Sequence, residues 1–434
     1  MSDEIVNEFS WKIAGAAGHG ILNAGMMLAR TAVRAGLFAF ASAEYPSLIR
    51  GGHNHLDVRI TKRPLPAHTK HVNLLVALNR ESIEKHAQKL VPNGAVIYDS
   101  DEVKELPVKR QDVHYYPLAL TSLASAAGGP ILRNVIAMGA SLALLEHGEE
   151  PLLMGYFSQV IRDNFGAKKG EAVVAANIAA AQTGYDALRA AFTNGFCWRL
   201  VPRKALPADA GQSAGKRLFL SGHEALSIGA IKAGCKFFAA YPMTPASSIL
   251  HTMAAQEKAF NLVVKHTEDE IAAMNMAVGA SYAGVRAMTA TSGGGFALMS
   301  EGFGLAAQTE TPIVVVVSQR PGPATGMATH SGQGDLRYVL HASTDEFPRI
   351  VLAPGDAAEC YHAGFSAFNL AERYQLPVLI LTDKYLGESF ATVPPFPTDM
   401  AIDRGKTILN GAVENYLRYR LTPDAISARA VPGV

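Results

Sequence analysis

The sequence predicts an α/β protein of two α/β domains, the second a doubly wound, mostly parallel sheet. Three observations carry that prediction. Short apolar runs of strand length alternate with helix-length segments along most of the 434 residues. Hydrophobic residues make up 49% and charged residues 18% of the chain, which excludes wholesale disorder and supplies material for real cores. Between two such blocks, residues 202–217 (PRKALPADAGQSAGKR) carry Pro, Gly, Ser and charge without periodicity and read as a linker. The expected division is therefore a first domain over 1–198, a linker over 199–217, a second domain over 218–392 and an extended tail over 393–434.

In the first block an apolar strand (Trp11–Ala14) leads through a glycine turn into a helix from about Ile21 to Ala35. Apolar runs at Leu37–Ala41, Val72–Leu78 and Ala95–Tyr98 follow, then alanine-rich helices at 132–146 and 168–192. The second block is more regular. Strands are expected at Lys236–Ala240, Leu262–Lys265, Arg286–Thr291, Pro312–Ser318, Arg349–Leu352 and Val378–Thr382. Helices are expected between them at 223–234, 246–259, 268–283 and 296–308. After Ser389 the alternation fades.

Composition excludes several functions. With 39 Lys+Arg against 38 Asp+Glu the net charge is +1, which argues against a nucleic-acid binder. Cys197, Cys235 and Cys360 are too scattered for a disulfide framework, a zinc motif or an iron–sulfur cluster. No apolar run has membrane-spanning length, and the acidic N-terminus lacks a signal core, so no membrane association and a cytoplasmic location are expected.

Open parallel sheets bind ligands beyond the carboxyl ends of their strands. In the second block these ends are followed by Tyr241-Pro242-Met-Thr244-Pro245, by His266-Thr-Glu268-Asp-Glu270, by Ser292-Gly293-Gly294-Gly295 and by Gln319-Arg320-Pro. Each segment also has a purely structural reading. Thr267 and Glu270 have capping-box spacing; Ser292 reads as an N-cap before a tight turn; Thr244 reads as a turn hydroxyl and Arg320 as a solvated loop cation. Their convergence on one sheet edge instead describes a polar pocket for a small carboxylic acid and a heterocycle, with Arg320 as planar donor to the carboxylate.

In the first block, Gly15-x-x-Gly18-x-Gly20 occupies the place of a dinucleotide loop but not its G-x-G-x-x-G pattern, and Glu44 lies near where a ribose-binding acid is expected. His53 and His55 would share one face of a strand. With no third ligand evident, loop or partner contact is preferred to metal binding and no metal is assigned.

These motifs, taken together, resemble the α subunit of the 2-oxoacid:ferredoxin oxidoreductases, in the form with a γ domain fused at the N-terminus. The γ-like marks are Gly15–Gly20 and Pro46–Asn54 (PSLIRGGHN); the α-like marks are Tyr241–Ser247, Glu268–Gly284, Thr289–Glu301, Gln319–Met327 and Leu381–Leu386. The resemblance implies a second domain of the thiamine-diphosphate pyrimidine-binding type and oxidative decarboxylation of a 2-oxoacid to an acyl-CoA, with electrons passed to ferredoxin. It implies Tyr241, Pro242, Glu270, Ser292, Gly293 and Gly294 as cofactor-binding residues. Catalytic roles fall to Glu270, with Glu268 as its alternative, and to Thr244 and Arg320. Glu270 would share a proton with the pyrimidine ring, while Thr244 and Arg320 would meet the substrate's carboxylate and oxo group. The sequence has neither a G-D-G motif with a downstream Asn nor a cluster-binding cysteine set. Magnesium, the diphosphate site and an iron–sulfur cluster are therefore expected on a β subunit, without which this chain is inactive, in an (αβ)2 heteromer. Coenzyme A is the expected co-substrate, and the γ-like block is expected to take part in CoA binding or in closing over the active site. The family's further C-terminal domain is not expected here, the chain being read as either a fragment or a shortened subunit.

The expected substrate is 2-oxoglutarate, by analogy with the fused γα form, with pyruvate or a branched-chain 2-oxoacid as alternatives. His330, Arg337, His53 and Arg50 are the candidates for a second carboxylate contact. Two rival readings stand beside this one: an NAD-dependent dehydrogenase using Glu44, and a non-catalytic assembly subunit.

Overall fold

The computed structural model describes residues 4–48, 51–146, 151–191, 196–203, 217–411 and 414–434. Along the chain come β1 (Ile5–Val6), β2 (Glu8–Ala16), α1 (Ile21–Arg34), β3 (Phe38–Glu44), β4 (His53–Thr61), β5 (Val72–Ala77) and α2 (Arg80–His86). Then follow β6 (Leu90–Asp99), β7 (His114–Leu118), α3 (Leu120–Ala126), α4 (Arg133–Leu145), α5 (Leu152–Lys169), α6 (Glu171–Ala191), β8 (Trp198–Arg199) and β9 (Leu218–Ser221). The next stretch holds α7 (Gly222–Lys232), β10 (Phe237–Ala240), α8 (Ser247–Phe260), β11 (Val263–His266), α9 (Glu270–Tyr282), β12 (Ala287–Thr291) and α10 (Gly293–Gln308). The last comprises β13 (Ile313–Gln319), α11 (Leu336–His341), β14 (Ile350–Leu352), α12 (Ala357–Tyr374), β15 (Pro377–Asp383), α13 (Lys384–Glu388), β16 (Phe390–Val393), β17 (Thr407–Ile408) and β18 (Arg429–Ala430).

The chain divides into two units, Met1–Phe219 with Phe390–Pro395, and Leu220–Ser389 with Phe396–Val434. The first unit is organised on a mixed sheet of order β7-β6-β5-β2-β4-β3-β16-β9. β2 pairs parallel with β5 and antiparallel with β4, and β3 pairs antiparallel with β4 and β16. Trp11, Ile13, Val58, Ile60, Leu74 and Val76 from the sheet pack with Met27, Leu28, Ile136 and Phe157 from the helices. α4 (RNVIAMGASLALL) is buried on nearly every side, as an almost wholly apolar helix must be.

The second unit holds a six-stranded, wholly parallel sheet of order β11-β10-β12-β13-β15-β14. β13 (IVVVVSQ) and β15 (PVLILTD) are buried along their whole length, which is why they read as continuous apolar runs. Strand order reverses at β10, with β11 on one side and β12 on the other, so a switch point opens beyond their carboxyl ends.

Several sequence expectations are revised. β4 (HNHLDVRIT) is a full nine-residue strand, although only its first residues looked strand-like. The helix expected over 168–192 is α6, starting at Glu171; residues 168–169 instead end the unforeseen α5, and Gly170, whose φ of 83° suits glycine, parts the two. α10 begins at Gly293, so the three glycines form its first turn and not a loop before it. Residues 199–203 run on from β8, which pairs with β1, and the Arg203 amide bonds to the Ala35 carbonyl at 2.7 Å; the rest of the expected linker, 204–216, lies outside the described residues. The segment expected as an extended tail splits: 393–395 belong to the first unit, and 396–434 pack into the second. There Arg429 donates to the carbonyls of Ser281 and Tyr282 at 2.9 and 2.8 Å. Among the described residues no helix is long and apolar enough to cross a membrane.

Candidate active site

α9 opens where β11 ends, and its capping decides what Glu270 is free to do. Asp269 is the N-cap: its side chain accepts from the Ala272 amide at 2.7 Å, and Thr267 Oγ1 donates to the Asp269 carbonyl at 2.8 Å. The capping box expected from Thr267 and Glu270 is therefore not formed. Glu270 is the first helical residue, 3% exposed, and its Oε1 has no hydrogen-bond partner among the described residues. Glu268, two residues earlier, is exposed. Space for the Glu270 carboxylate comes from Gly295, where a Cβ would stand 2.6 Å from Oε1.

Beyond β12, Ser292 holds the N-cap position of α10 without a side-chain capping bond. It is fully buried, and its Oγ likewise has no partner among the described residues. Gly293 and Gly294 admit other groups to the helix end: a Cβ on Gly293 would lie 2.5 Å from Asp335 Oδ2, and one on Gly294 would lie 3.3 Å from the Ala324 carbonyl. Two helix N-termini, α9 and α10, thus start at the ends of β11 and β12, the strands on either side of β10, and favour negative charge there.

Arg320 follows β13 and is 9% exposed, not the solvated loop cation of the structural reading. Its Nη1 donates to the Thr244 carbonyl at 2.7 Å, which joins the loop after β10 to that after β13. Burial lowers the guanidinium pKa, while the Asp335 and Glu270 carboxylates work against that fall. Burial in turn raises the Asp335 carboxyl, against the pull of Arg320, and Asp335 Oδ2 has no hydrogen-bond partner among the described residues. Thr244 is half-buried; Tyr241 and Pro242 are exposed, with the Tyr241 ring 6.3 Å from that of His266. Of the candidates for a second carboxylate contact, His330 and Arg337 are exposed, His53 belongs to the first unit, and Arg50 lies outside the described residues.

No pattern of spacing pointed to His223, which lies near the start of α7 and is fully buried. Its Nδ1 sits 2.6 Å from Ser248 Oγ, which donates onward to the Pro245 carbonyl at 3.1 Å, so the ring proton belongs on Nδ1. Nε2 then accepts from Thr382 Oγ1 at 3.0 Å or Ser318 Oγ at 3.2 Å. Burial pushes the ring's pKa down to about 3, and the neutral imidazole props the Thr244–Pro245 loop from beneath. Asp335 was missed as well, because it stands well past the motif that ends at Met327.

Residues 228–431 match the family described as pyruvate flavodoxin/ferredoxin oxidoreductase, thiamine diP-bdg, and residues 10–187 match pyruvate ferredoxin/flavodoxin oxidoreductase. The α subunit of a 2-oxoacid:ferredoxin oxidoreductase from Sulfolobus sp is 31% identical over 98% of this chain and 72% of its own length. The chain belongs to the 2-oxoacid:ferredoxin oxidoreductase α-subunit family. Within that family, the 2-oxoglutarate synthase subunit KorA of Archaeoglobus fulgidus is 44% identical over 44% of this chain and 56% of its own. A solved 2-oxoglutarate:ferredoxin oxidoreductase from Magnetococcus marinus, with 2-oxoglutarate, coenzyme A and succinyl-CoA bound, superposes with a TM-score of 0.88. That chain is 35% identical, and the match covers 98% of this α subunit and 72% of it.

Topology also disposes of the dinucleotide reading of this α subunit. In a dinucleotide fold the ribose-binding acid ends a parallel strand beside the one that carries the glycine loop. Here Glu44 ends β3, which is separated from β2 by the antiparallel β4.

Proposed function

We propose that this α subunit holds the aminopyrimidine end of thiamine diphosphate at the switch point of its second unit and takes part there in oxidative decarboxylation of 2-oxoglutarate. The reading rests on one observation above all, the buried Glu270 carboxylate whose Oε1 lacks a partner at the start of α9. A heterocycle with a ring nitrogen and an exocyclic amine suits this donor set, since Glu270 Oε1 and Ser292 Oγ are both buried and have no partner among the described residues. When bound, thiamine diphosphate supplies a carbon nucleophile and a sink for the electron pair that carbon dioxide leaves behind.

The residues of this chain divide the remaining work. Glu270, shielded from water, shares a proton with the pyrimidine nitrogen and keeps that proton at a defined atom. Arg320 neutralises the substrate carboxylate and orients it for departure, its own position fixed by the Thr244 carbonyl. The Thr244 hydroxyl borders the substrate's oxo group, and Asp335 balances the guanidinium charge between turnovers. Ser292, Gly293 and Gly294 line the close approach to the ring, with Tyr241 and Pro242 at its margin. Magnesium, the diphosphate contacts and an iron–sulfur cluster are assigned to a β subunit in an (αβ)2 assembly, with ferredoxin as electron acceptor and CoA as acyl acceptor. A cytoplasmic location is supported by the three unpaired cysteines.

The test is dye reduction by the purified αβ complex with CoA and each of 2-oxoglutarate, pyruvate and a branched-chain 2-oxoacid. The expected outcome is fastest turnover with 2-oxoglutarate, and a fall of about 10²–10⁴-fold for Glu270→Gln in a complex that still assembles. An intact complex without 2-oxoacid-dependent reduction overturns the assignment. Near-wild-type activity of Glu270→Gln would favour an assembly role for this chain.

A further inference from the structure

We propose that His53, His55 and His86 form a binding site for a divalent ion of the zinc type in the first unit, with the Glu44 carboxylate completing four-coordination. The sequence showed two histidines on one strand face and no third ligand; the fold supplies it. β4 carries His53 and His55 two residues apart, and α2 ends on His86 against the same face. One ring nitrogen from each of the three lies within 4.8 Å of the others. The His53 and His86 Nε2 atoms are 2.7 Å apart, and the His55 ring centroid is 4.7 Å from that of His86. Glu44, at the end of the adjacent β3, places Oε2 3.6 Å from His55 Nε2.

The donor chemistry selects the ion. Imidazoles with one carboxylate suit Zn²⁺, Co²⁺, Ni²⁺ or Cu²⁺ far better than Mg²⁺ or Ca²⁺, which prefer all-oxygen shells. Tetrahedral Zn–N bonds of about 2.0–2.1 Å set ligand nitrogens about 3.3 Å apart. The His53–His86 pair therefore has only to open by about half an ångström, a small side-chain rotation. Charge is arranged to allow a dication. Lys12, Lys85 and Lys89 all bring positive charge to these rings; Lys12 is bonded at 2.8 Å to Asp57, directly across the β2–β4 ladder, and Lys85 at 2.7 Å to Glu81, which offsets two of the three. Asp57 Oδ2 also stands 3.5 Å from His55 Nε2, but Asp57 is engaged by Lys12 and is not assigned as a ligand. His55 and His86 are buried, whereas the Glu44 side chain is 70% exposed, so an ion reaches the site from solvent on the Glu44 side. Bound there, it would clamp the start of β4, just after Gly51-Gly52, to the end of α2. Nothing in the proposed decarboxylation uses these four side chains.

The full-length chain, stripped with a chelator and dialysed against Zn²⁺, should take up one equivalent by elemental mass spectrometry. With Co²⁺ it should show the ligand-field bands of a four-coordinate ion. His86→Asn should weaken Zn²⁺ binding by about a hundredfold or more, and added Zn²⁺ should raise the melting temperature of wild type but not of this variant. His71→Ala, an exposed histidine outside the cluster, should keep the full equivalent. Because His86 is buried and its variant can misfold, the half-buried His53→Gln repeats the measurement. Absence of stoichiometric zinc on the wild-type chain, or equal zinc on wild type and a folded His53→Gln or His86→Asn variant, overturns the site.

Discussion

A glutamate at the first position of a helix ordinarily caps the helix or faces water, and Glu270 does neither. Asp269 has taken over the capping, and the carboxylate's Oε1 is buried with no partner among the described residues. That arrangement depends on a residue with no side chain. In Gly295→Ala the new methyl would overlap Thr291 Oγ1 and meet Glu270 Oε1 at 2.6 Å, so both the hydroxyl and the carboxylate must move. Turnover of the αβ complex is expected to fall at least about tenfold, since misplacement by an ångström is enough for such losses. The circular dichroism spectrum should be unchanged, and wild-type turnover would show that the carboxylate's exact seat is unimportant. His223 gives a pH signature at the same scale. Burial holds its pKa at about 3, below the ordinary imidazole value of about 6.5. Above pH 6.5 the ring is neutral in both states and contributes no pH dependence. As pH falls below 6.5 the unfolded chain gains a proton that the folded chain refuses, and stability drops by up to about 1.4 kcal/mol per pH unit towards pH 3. Urea midpoints at pH 7 and pH 5 should differ less in His223→Gln than in wild type; an equal difference would mean that the ring is not held neutral.

Helices in both units are packed closely enough that single glycines decide their separation. A Cβ at Gly139 of α4 would overlap the Ala181 carbonyl of α6, and one at Gly184 of α6 would overlap the Ile136 carbonyl of α4. Gly184→Ala must therefore drive the two helices apart and is expected to cost about 1–3 kcal/mol. Gly155, on the exposed side of α5, has nothing within 4 Å of its would-be Cβ, and Gly155→Ala should stabilise by about 0.5–1 kcal/mol. Opposite signs in thermal melts check the pair together; two losses would contradict the packing. The same scale shows what was readable in advance. β10, β12, β13 and β15 are apolar runs bounded by Gly, Pro or Ser, so their ends, and with them Thr244, Ser292 and Arg320, could be located from spacing. β4 was legible and overlooked, since Leu56-Asp57-Val58-Arg59-Ile60-Thr61 alternates apolar and polar side chains as a half-buried strand does; spacing did not show that Asp57 is held inside through Lys12 on the neighbouring strand. Capping at Asp269, the prop under the Thr244 loop by His223, and the approach of His86 to His53 all depend on tertiary neighbours that local spacing does not encode.

Across the whole chain, 39 basic and 38 acidic side chains nearly cancel, and a few of these charges are placed deep inside. The chain passes between its two units at 219/220, 389/390 and 395/396, so residues 396–434 return to the second unit. Arg286, 3% exposed just before β12, fastens that segment. It bonds Glu372 Oε2 on α12 at 2.6 and 2.8 Å, the Ala233 carbonyl after α7 at 2.6 Å, Asn369 Oδ1 at 3.0 Å and the Asp403 carbonyl at 2.6 Å. Arg404 completes the cluster, 2.9 Å from Glu372 Oε1 and 2.8 Å from the Gly284 carbonyl. Removing Arg286 leaves the 4%-exposed Glu372 with only half its counter-charge and several carbonyls without a donor. Arg286→Met is expected to cost about 3–5 kcal/mol. The double variant Arg286→Met/Glu372→Leu should recover part of that loss, because no unpaired charge then stays buried. Urea unfolding of the three proteins decides the matter: a single variant within about 1 kcal/mol of wild type, or a double variant less stable than Arg286→Met, would show that this ionic cluster does not hold residues 396–434 to the second unit.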